Sequence, residues 1–214
     1  MEINLKIRNI VILGTFHPIR YDRYYFAKNE IVSADKILSN SKFLPELVVL
    51  DTIEFQLTIT NTQMICNSKN PSEEGDEIAK LLIRILSSEV QYSISGSGIN
   101  FNWFLKDNIS IKELSRKYCY NEKNEIQRKI FSGDDASFGF YSSNDVKNTR
   151  LKLDVKPITF REATDNEDRE ALQFSFNFHK NYKEPKEASS EFLDLLNHYL
   201  FFREYAEKII EMIS

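Results

Sequence analysis

Strict alternation is the clearest pattern in this chain. In Ile53-Glu54-Phe55-Gln56-Leu57-Thr58-Ile59-Thr60 the apolar residues hold the odd positions and the polar ones the even positions, the period of a strand with one wet face. Leu172-Gln173-Phe174-Ser175-Phe176-Asn177-Phe178 repeats it within a strand expected over Ala171–Asn181. Further strands are predicted over Asn9–Leu13, ended by Gly14, and over Gln63–Asn67, Ala136–Tyr141 and Leu151–Phe160. A strand over Val90–Leu105 is broken near Gly96-Ser97-Gly98 by a bulge or turn. Helical spacing takes over at Ile78, Leu81, Leu82, Ile85 and Leu86, behind the acidic Glu73, Glu74 and Asp76 that suit the positive end of a helix dipole. The spacing predicts an amphipathic helix over 73–88. A short helix capped by Ser33 follows the aromatic cluster Tyr21, Tyr24, Tyr25, Phe26, the capping box Ser110-Ile111-Lys112-Glu113 opens another, and Asn124–Phe131 forms a third.

The last segment carries an apolar seam. Phe192, Tyr199, Ala206 and Ile213 recur every seven residues, with Leu195, Phe202 and Ile209 three later, in a helix capped by Ser189 or Ser190. Leu196 and Ile210 widen the stripe to what one buried face holds, so Leu193, Leu200 and Phe201 point elsewhere and mark a protein interface, with Glu204, Glu207 and Glu211 as its rim. Together these elements give an α+β protein of antiparallel sheets covered by amphipathic helices, with a long C-terminal helix. An alternating strand, a polar joint and an amphipathic helix occur in 1–108 and again in 109–214, which reads as two pseudo-repeated halves or as one continuous domain.

Composition narrows the class. With 214 residues, 42% hydrophobic and 28% charged, the chain has enough apolar surface for a packed core. A net charge of -4 offers no global field for nucleic acid or anionic lipid, so any basic binding face is local. Cys66 and Cys119 lack a C-x-x-C partner and read as buried, idle thiols of a reducing compartment. The apolar run Ile10–Leu13 behind Lys6 and Arg8 is too short for a signal core or a membrane span, which points to a soluble, cytoplasmic protein with no membrane partner.

Candidate chemistry is sparse. His17, His179 and His198 show no metal-ligand spacing, and Gly96-x-Gly98 runs into strand instead of the helix N-terminus that a dinucleotide needs, so no metal and no cofactor are implied. Asp145 followed by Asp154-Val155-Lys156 has the acid and acid-x-Lys order of a metal-dependent nuclease, in which carboxylates hold the ion and a lysine orients water. An outward Asp-x-Lys is also the ordinary wet face of a strand. For nucleic acid, Arg20, Arg23, Tyr24 and Lys28 interleave cations with rings, and Lys112–Lys129 adds six basic residues against three acidic, a local +3.

The segments Ile10-Val11-Ile12-Leu13-Gly14-Thr15-Phe16-His17-Pro18, Tyr25-Phe26-Ala27-Lys28-Asn29, Phe55-Gln56-Leu57-Thr58-Ile59-Thr60 and Gly98-Ile99-Asn100 resemble a diffuse group of uncharacterised bacterial proteins. These have a G-x-F-x-P start and a central G-I-N before an aromatic strand. The resemblance covers the first half and implies a bacterial cytoplasmic accessory component of a multi-protein system such as phage defence, with no catalytic residues to assign. The expected function is therefore a non-enzymatic protein-binding or assembly subunit, joined to a protein partner or to further copies of itself. A metal-dependent nuclease or a nucleic-acid-binding module is the alternative.

Overall fold

A computed structural model describes residues 1–73, 75–88, 92–161, 167–183 and 185–213. Glu74, in the expected acidic first turn, and Val90, at the expected start of a strand, lie outside the described residues. The strands are β1 (Glu2–Thr15), β2 (Lys42–Phe43), β3 (Leu47–Asp51), β4 (Phe55–Thr60), β5 (Gln63–Ser68), β6 (Ser93–Lys106), β7 (Phe140–Val146), β8 (Thr149–Phe160) and β9 (Arg169–Asn181). The helices are α1 (Arg23–Lys28), α2 (Glu77–Leu86), α3 (Ile111–Cys119), α4 (Glu125–Ile130), α5 (Pro185–Asn197) and α6 (Tyr199–Glu211). Among the described residues nine strands join one antiparallel sheet in the order β2-β3-β4-β5-β1-β6-β9-β8-β7, so the protein is mixed α and β around one large sheet where several sheets were expected.

The sheet is organised about β1 and β6, each of 14 residues, paired over almost their whole length. Register places Ile10, Ile12, Ile99, Phe101, Cys66, Met64, Leu57, Phe176, Phe178 and Leu153 on one face, and all are buried. The same apolar cluster takes in Ile78 and Leu82 of α2, Leu114 of α3, Phe192 of α5 and Phe202 of α6. Aromatic contacts fix α6 to this face, with Tyr199 against Phe101 at 5.5 Å and Phe202 against Phe178 at 4.8 Å between ring centroids.

Several elements depart from the sequence reading, each for a local reason. β1 is far longer than Asn9–Leu13 because a register shift between Leu5 and Ile7 changes which positions face the core, hiding the alternation. The irregularity expected near Gly96-Ser97-Gly98 is a second shift, between Leu13 and Gly14 opposite Gly96 and Ile94, and β6 runs on through it. Gly14 allows this close approach, since a Cβ there would lie 1.9 Å from the Ser93 carbonyl oxygen. Tyr24, Tyr25 and Phe26 of the aromatic cluster do not precede a helix but lie within α1, capped by Asp22, whose carboxylate accepts from the Tyr25 amide at 2.6 Å. Ser33 precedes only a 3-10 turn over Ala34–Lys36. β7 begins at Phe140 instead of Ala136, since Phe138 is taken into the core and its amide donates to Ser115 Oγ at 3.0 Å. The C-terminal helix is divided between α5 and α6 at His198, whose Nδ1 sits 2.8 Å from the Asp194 carbonyl oxygen and competes with the helical ladder.

The late start of α2 has an electrostatic cause. Arg8 is 1% exposed on the covered face of β1, and its guanidinium donates to the backbone carbonyls of Asn70, Glu73 and Gly75, to Ser68 Oγ and to the Glu77 carboxylate. Arg203 of α6 donates to the same Glu73 carbonyl and to Glu207. Carbonyls that would have opened a helix at residue 73 are thus bound to two arginines from β1 and α6. Removing a buried cation orphans all of its acceptors, so Arg8→Ala is expected to cost about 3–5 kcal/mol in denaturant unfolding. A loss below about 1 kcal/mol would show that the segment is held in place without it.

Candidate functional site

The acid and acid-x-Lys residues stand on neighbouring strands without converging. Tyr141 is the register partner of Asp154, and Asp145 lies four residues further along β7, roughly 13 Å at about 3.3 Å per residue. Half-buried Asp154 is ion-paired with exposed Lys156 at 2.9 Å, and Asp145 with Arg150 at 3.1 Å, both exposed. Among the described residues no group of three His, Cys, Asp or Glu side chains is placed to hold a metal ion. A cleft lined by Asp107, Thr159, Asp168 and Glu170 gathers carboxylates, but Asp107 is paired with the amino terminus and Asp168 with Arg161.

Three of the aromatic and basic residues near the start, Arg23, Tyr24 and Lys28, lie on α1, and Arg20 ends the 3-10 turn before it. Arg20, Arg23, Tyr24 and Lys28 are exposed, Lys28 Nζ stands 5.8 Å from the Tyr24 ring centroid, and Arg23 is tied to the Ile37 carbonyl at 2.6 Å. The cations of 112–129 are partly engaged as well. Arg116 donates to the Gly133 carbonyl and lies over the Tyr120 and Phe138 rings, while Arg128 and Lys129 pair with Glu125. Of the three residues expected to form an interface on the last helix, Leu193 and Phe201 are half-buried against the core, Phe201 beneath Lys147 Nζ at 4.2 Å, and Leu200 is 45% exposed.

Two features emerge only from register. The face of the sheet opposite the apolar cluster carries a row of polar side chains, Gln56, Asn67, Asn9, Asn100, Asn177, Lys152 and Ser143, one from each of seven successive strands and each half-exposed. Asn177 donates to Asn100, and Asn100 to Asn9 at 2.8 Å, so the amides are linked across the centre of the sheet. At the end of this row, Asp51 pairs with Lys69 at 2.6 Å and accepts from Asn40.

The second feature is the segment that enters β7. Residues 121–135 are exposed except for half-buried Gln127, yet they include α4, whose Asn124 cap accepts from the Ile126 and Gln127 amides. Ile126, Ile130 and Phe131 of this arm are 60%, 69% and 51% exposed, and Phe140 and Tyr141 of β7 are 37% and 60% exposed. The arm is rooted on α3, through Arg116 to Gly133 and Ser115 to Phe138, and α3 packs on β8 and β9 next to the β7 edge. The uncovered apolar side chains of 126–141 therefore belong to the β7 end of the molecule. Read from sequence, this stretch is a polar connector, because its apolar residues are few and show no long period.

Burial pushes the phenols of Tyr21, Tyr182 and Tyr199 and the thiol of Cys66 upward, and raises the Cys119 thiol to about 11, so all of them stay protonated at neutral pH. No protein-family model matches this chain, and no curated protein matches it.

Asp51 supplies a pH test. Burial raises its carboxyl, but hydrogen bonds from Lys69 and Asn40, together with the Lys69 charge, outweigh this and hold it below the usual range. A carboxyl lowered by folding contributes stability above its unfolded value of about 4 and loses it as pH falls through the lower folded value. In acid titrations followed by thermal unfolding, Asp51→Asn is expected to be less stable than the native chain at neutral pH and to close the gap below about pH 4. A gap independent of pH would contradict the assignment.

Proposed function

We propose that this chain is a non-enzymatic protein-binding or assembly subunit of a bacterial cytoplasmic multi-protein system. The observation that carries the reading is the concentration of uncovered apolar side chains, Ile126, Ile130, Phe131, Phe140 and Tyr141, at the β7 end. A helix of six residues gains little from its own hydrogen bonds in water, and α4 buries none of its side chains. Covering Ile126, Ile130 and Phe131 on a partner contributes up to roughly 1.5–3 kcal/mol each before association entropy is counted. Phage defence is the setting that the sequence resemblance suggests for such a subunit.

We also infer that the two halves are pseudo-repeats related by a twofold axis through the Asn9–Asn100 pair. Outward from the central strands the order is β1-β5-β4-β3 on one side and β6-β9-β8-β7 on the other. On this reading Asn9 corresponds to Asn100 and Asn67 to Asn177, so the asparagine row is the same motif used twice. The correspondence sets β4 beside β8 and β5 beside β9, which differs by one strand from the match between Ile53–Thr60 and Leu172–His179 that alternation alone suggests.

A photoreactive side chain at Ile130 is expected to give a discrete protein adduct in cells, and one at exposed Lys208 of α6 none, with the Ile130 adduct lost in Ile126→Glu. Equal labelling from both positions, or none from Ile130, would count against the reading. The nuclease rival is decided separately: cleavage of DNA or RNA with Mg²⁺ or Mn²⁺ that is lost in Asp154→Ala and in Lys156→Ala would replace it.

A further inference from the structure

We propose that two copies of this chain pair through β7, edge to edge and antiparallel, about a twofold axis at Ser143; the inference rests on the protein-binding reading and names its partner. The ends of the sheet differ in a way that matters for association. At one end stands β2, only two residues long and followed by Leu44 and Pro45 in a tight turn to Leu47. At the other stands β7, seven residues long, Phe140-Tyr141-Ser142-Ser143-Asn144-Asp145-Val146. This strand has no Pro, no Lys and no register shift against β8, the devices that usually blunt an edge. Its single charge, Asp145, is already balanced by Arg150.

The hydrogen-bonding phase of this edge follows from its hairpin. Val146 and Thr149 flank the two-residue turn Lys147-Asn148, and the pair flanking such a turn is hydrogen-bonded. Bonding alternates from there, so Val146, Asn144, Ser142 and Phe140 spend their backbone groups on β8, while those of Asp145, Ser143 and Tyr141 point away from the sheet. Ser143 is the midpoint of the strand and belongs to the outward set, as an axis through a hydrogen-bonded pair requires. Ser143 then meets its own copy and Tyr141 meets Asp145 of the other chain, with about six N–H···O bonds across the junction.

The side chains are self-complementary in this register. Phe140 falls opposite Val146 of the second copy on the core-side face, and Ser142 opposite Asn144, while on the polar face the Tyr141 hydroxyl reaches toward Asp145. Each contact occurs twice, as in an isologous interface. Shifting the register by one residue would place inward-bonded groups at the junction and leave the outward set unpaired. The product is a continuous sheet through both chains.

Sedimentation and light scattering on the native chain at high micromolar concentration are expected to show a dimer. Ser143→Pro removes one outward N–H and sets a ring in the junction while sparing the β8 ladder, so it is expected to be a folded monomer. Should this variant fail to fold, Ser143→Cys reads the same geometry. Two Ser143 Cα atoms in a hydrogen-bonded pair stand about 5.5 Å apart, within disulfide range, so mild oxidation is expected to give a covalent dimer. Cys66 and Cys119 are buried and do not compete. A native monomer, a dimer that persists in Ser143→Pro, or absence of the disulfide-linked dimer in Ser143→Cys would each overturn the pairing. A native monomer that still yields an Ile130 adduct to a different protein leaves the protein-binding reading intact and rejects self-pairing alone. A dimer with no adduct at the arm keeps the pairing and rejects the arm as the binding element.

Discussion

The pairing of β1 with β6 is the constraint on which the rest of this structure depends. It joins residues 2–15 to residues 93–106 over nearly the full length of both strands, and every other strand is added outward from it. Because side chains alternate between faces, fixing this register fixes which residues of each neighbouring strand face the core. The shifts at Leu5/Ile7 and Leu13/Gly14 adjust the phase at either end, and Gly14 is needed where the backbones come closest.

A second constraint is the burial of Arg8 within the apolar face. A buried guanidinium needs most of its hydrogen bonds met, and the segment before α2 meets those of both terminal nitrogens with backbone carbonyls and Ser68. Glu77 at the start of α2 supplies the opposite charge, and Nε has no partner among the described residues. Arg203 reaches the same segment from α6, so strand, loop and C-terminal helix are linked through one polar cluster inside an otherwise apolar layer.

The placement of potential chemistry follows from the same geometry. Charged residues of β7 and β8 lie on the polar face and neutralise each other across short distances, while the strongly shifted titratable groups are buried phenols and thiols held protonated. Among the described residues, apolar side chains stay uncovered on α4 as on several loops, and β7 ends the sheet.

Sequence alone determined the elements whose pattern is local. Alternation marked β4 and β9, helical spacing marked α2, and the Ser110–Glu113 capping box marked the start of α3, because each needs only neighbours within a few residues. It left unread β3, a short apolar run with no alternation, and the true length of β1, whose phase changes midway. The candidate site was less legible still. Asn9, Asn67, Asn100 and Asn177 look like ordinary wet-face residues until register sets them in one row, and Asp145 and Asp154 look like partners until register separates them. Which strand ends the sheet, and which of its backbone groups point outward, are decided by pairing between residues far apart in the chain. No local pattern encodes that, since it depends on which strands are already satisfied by their neighbours.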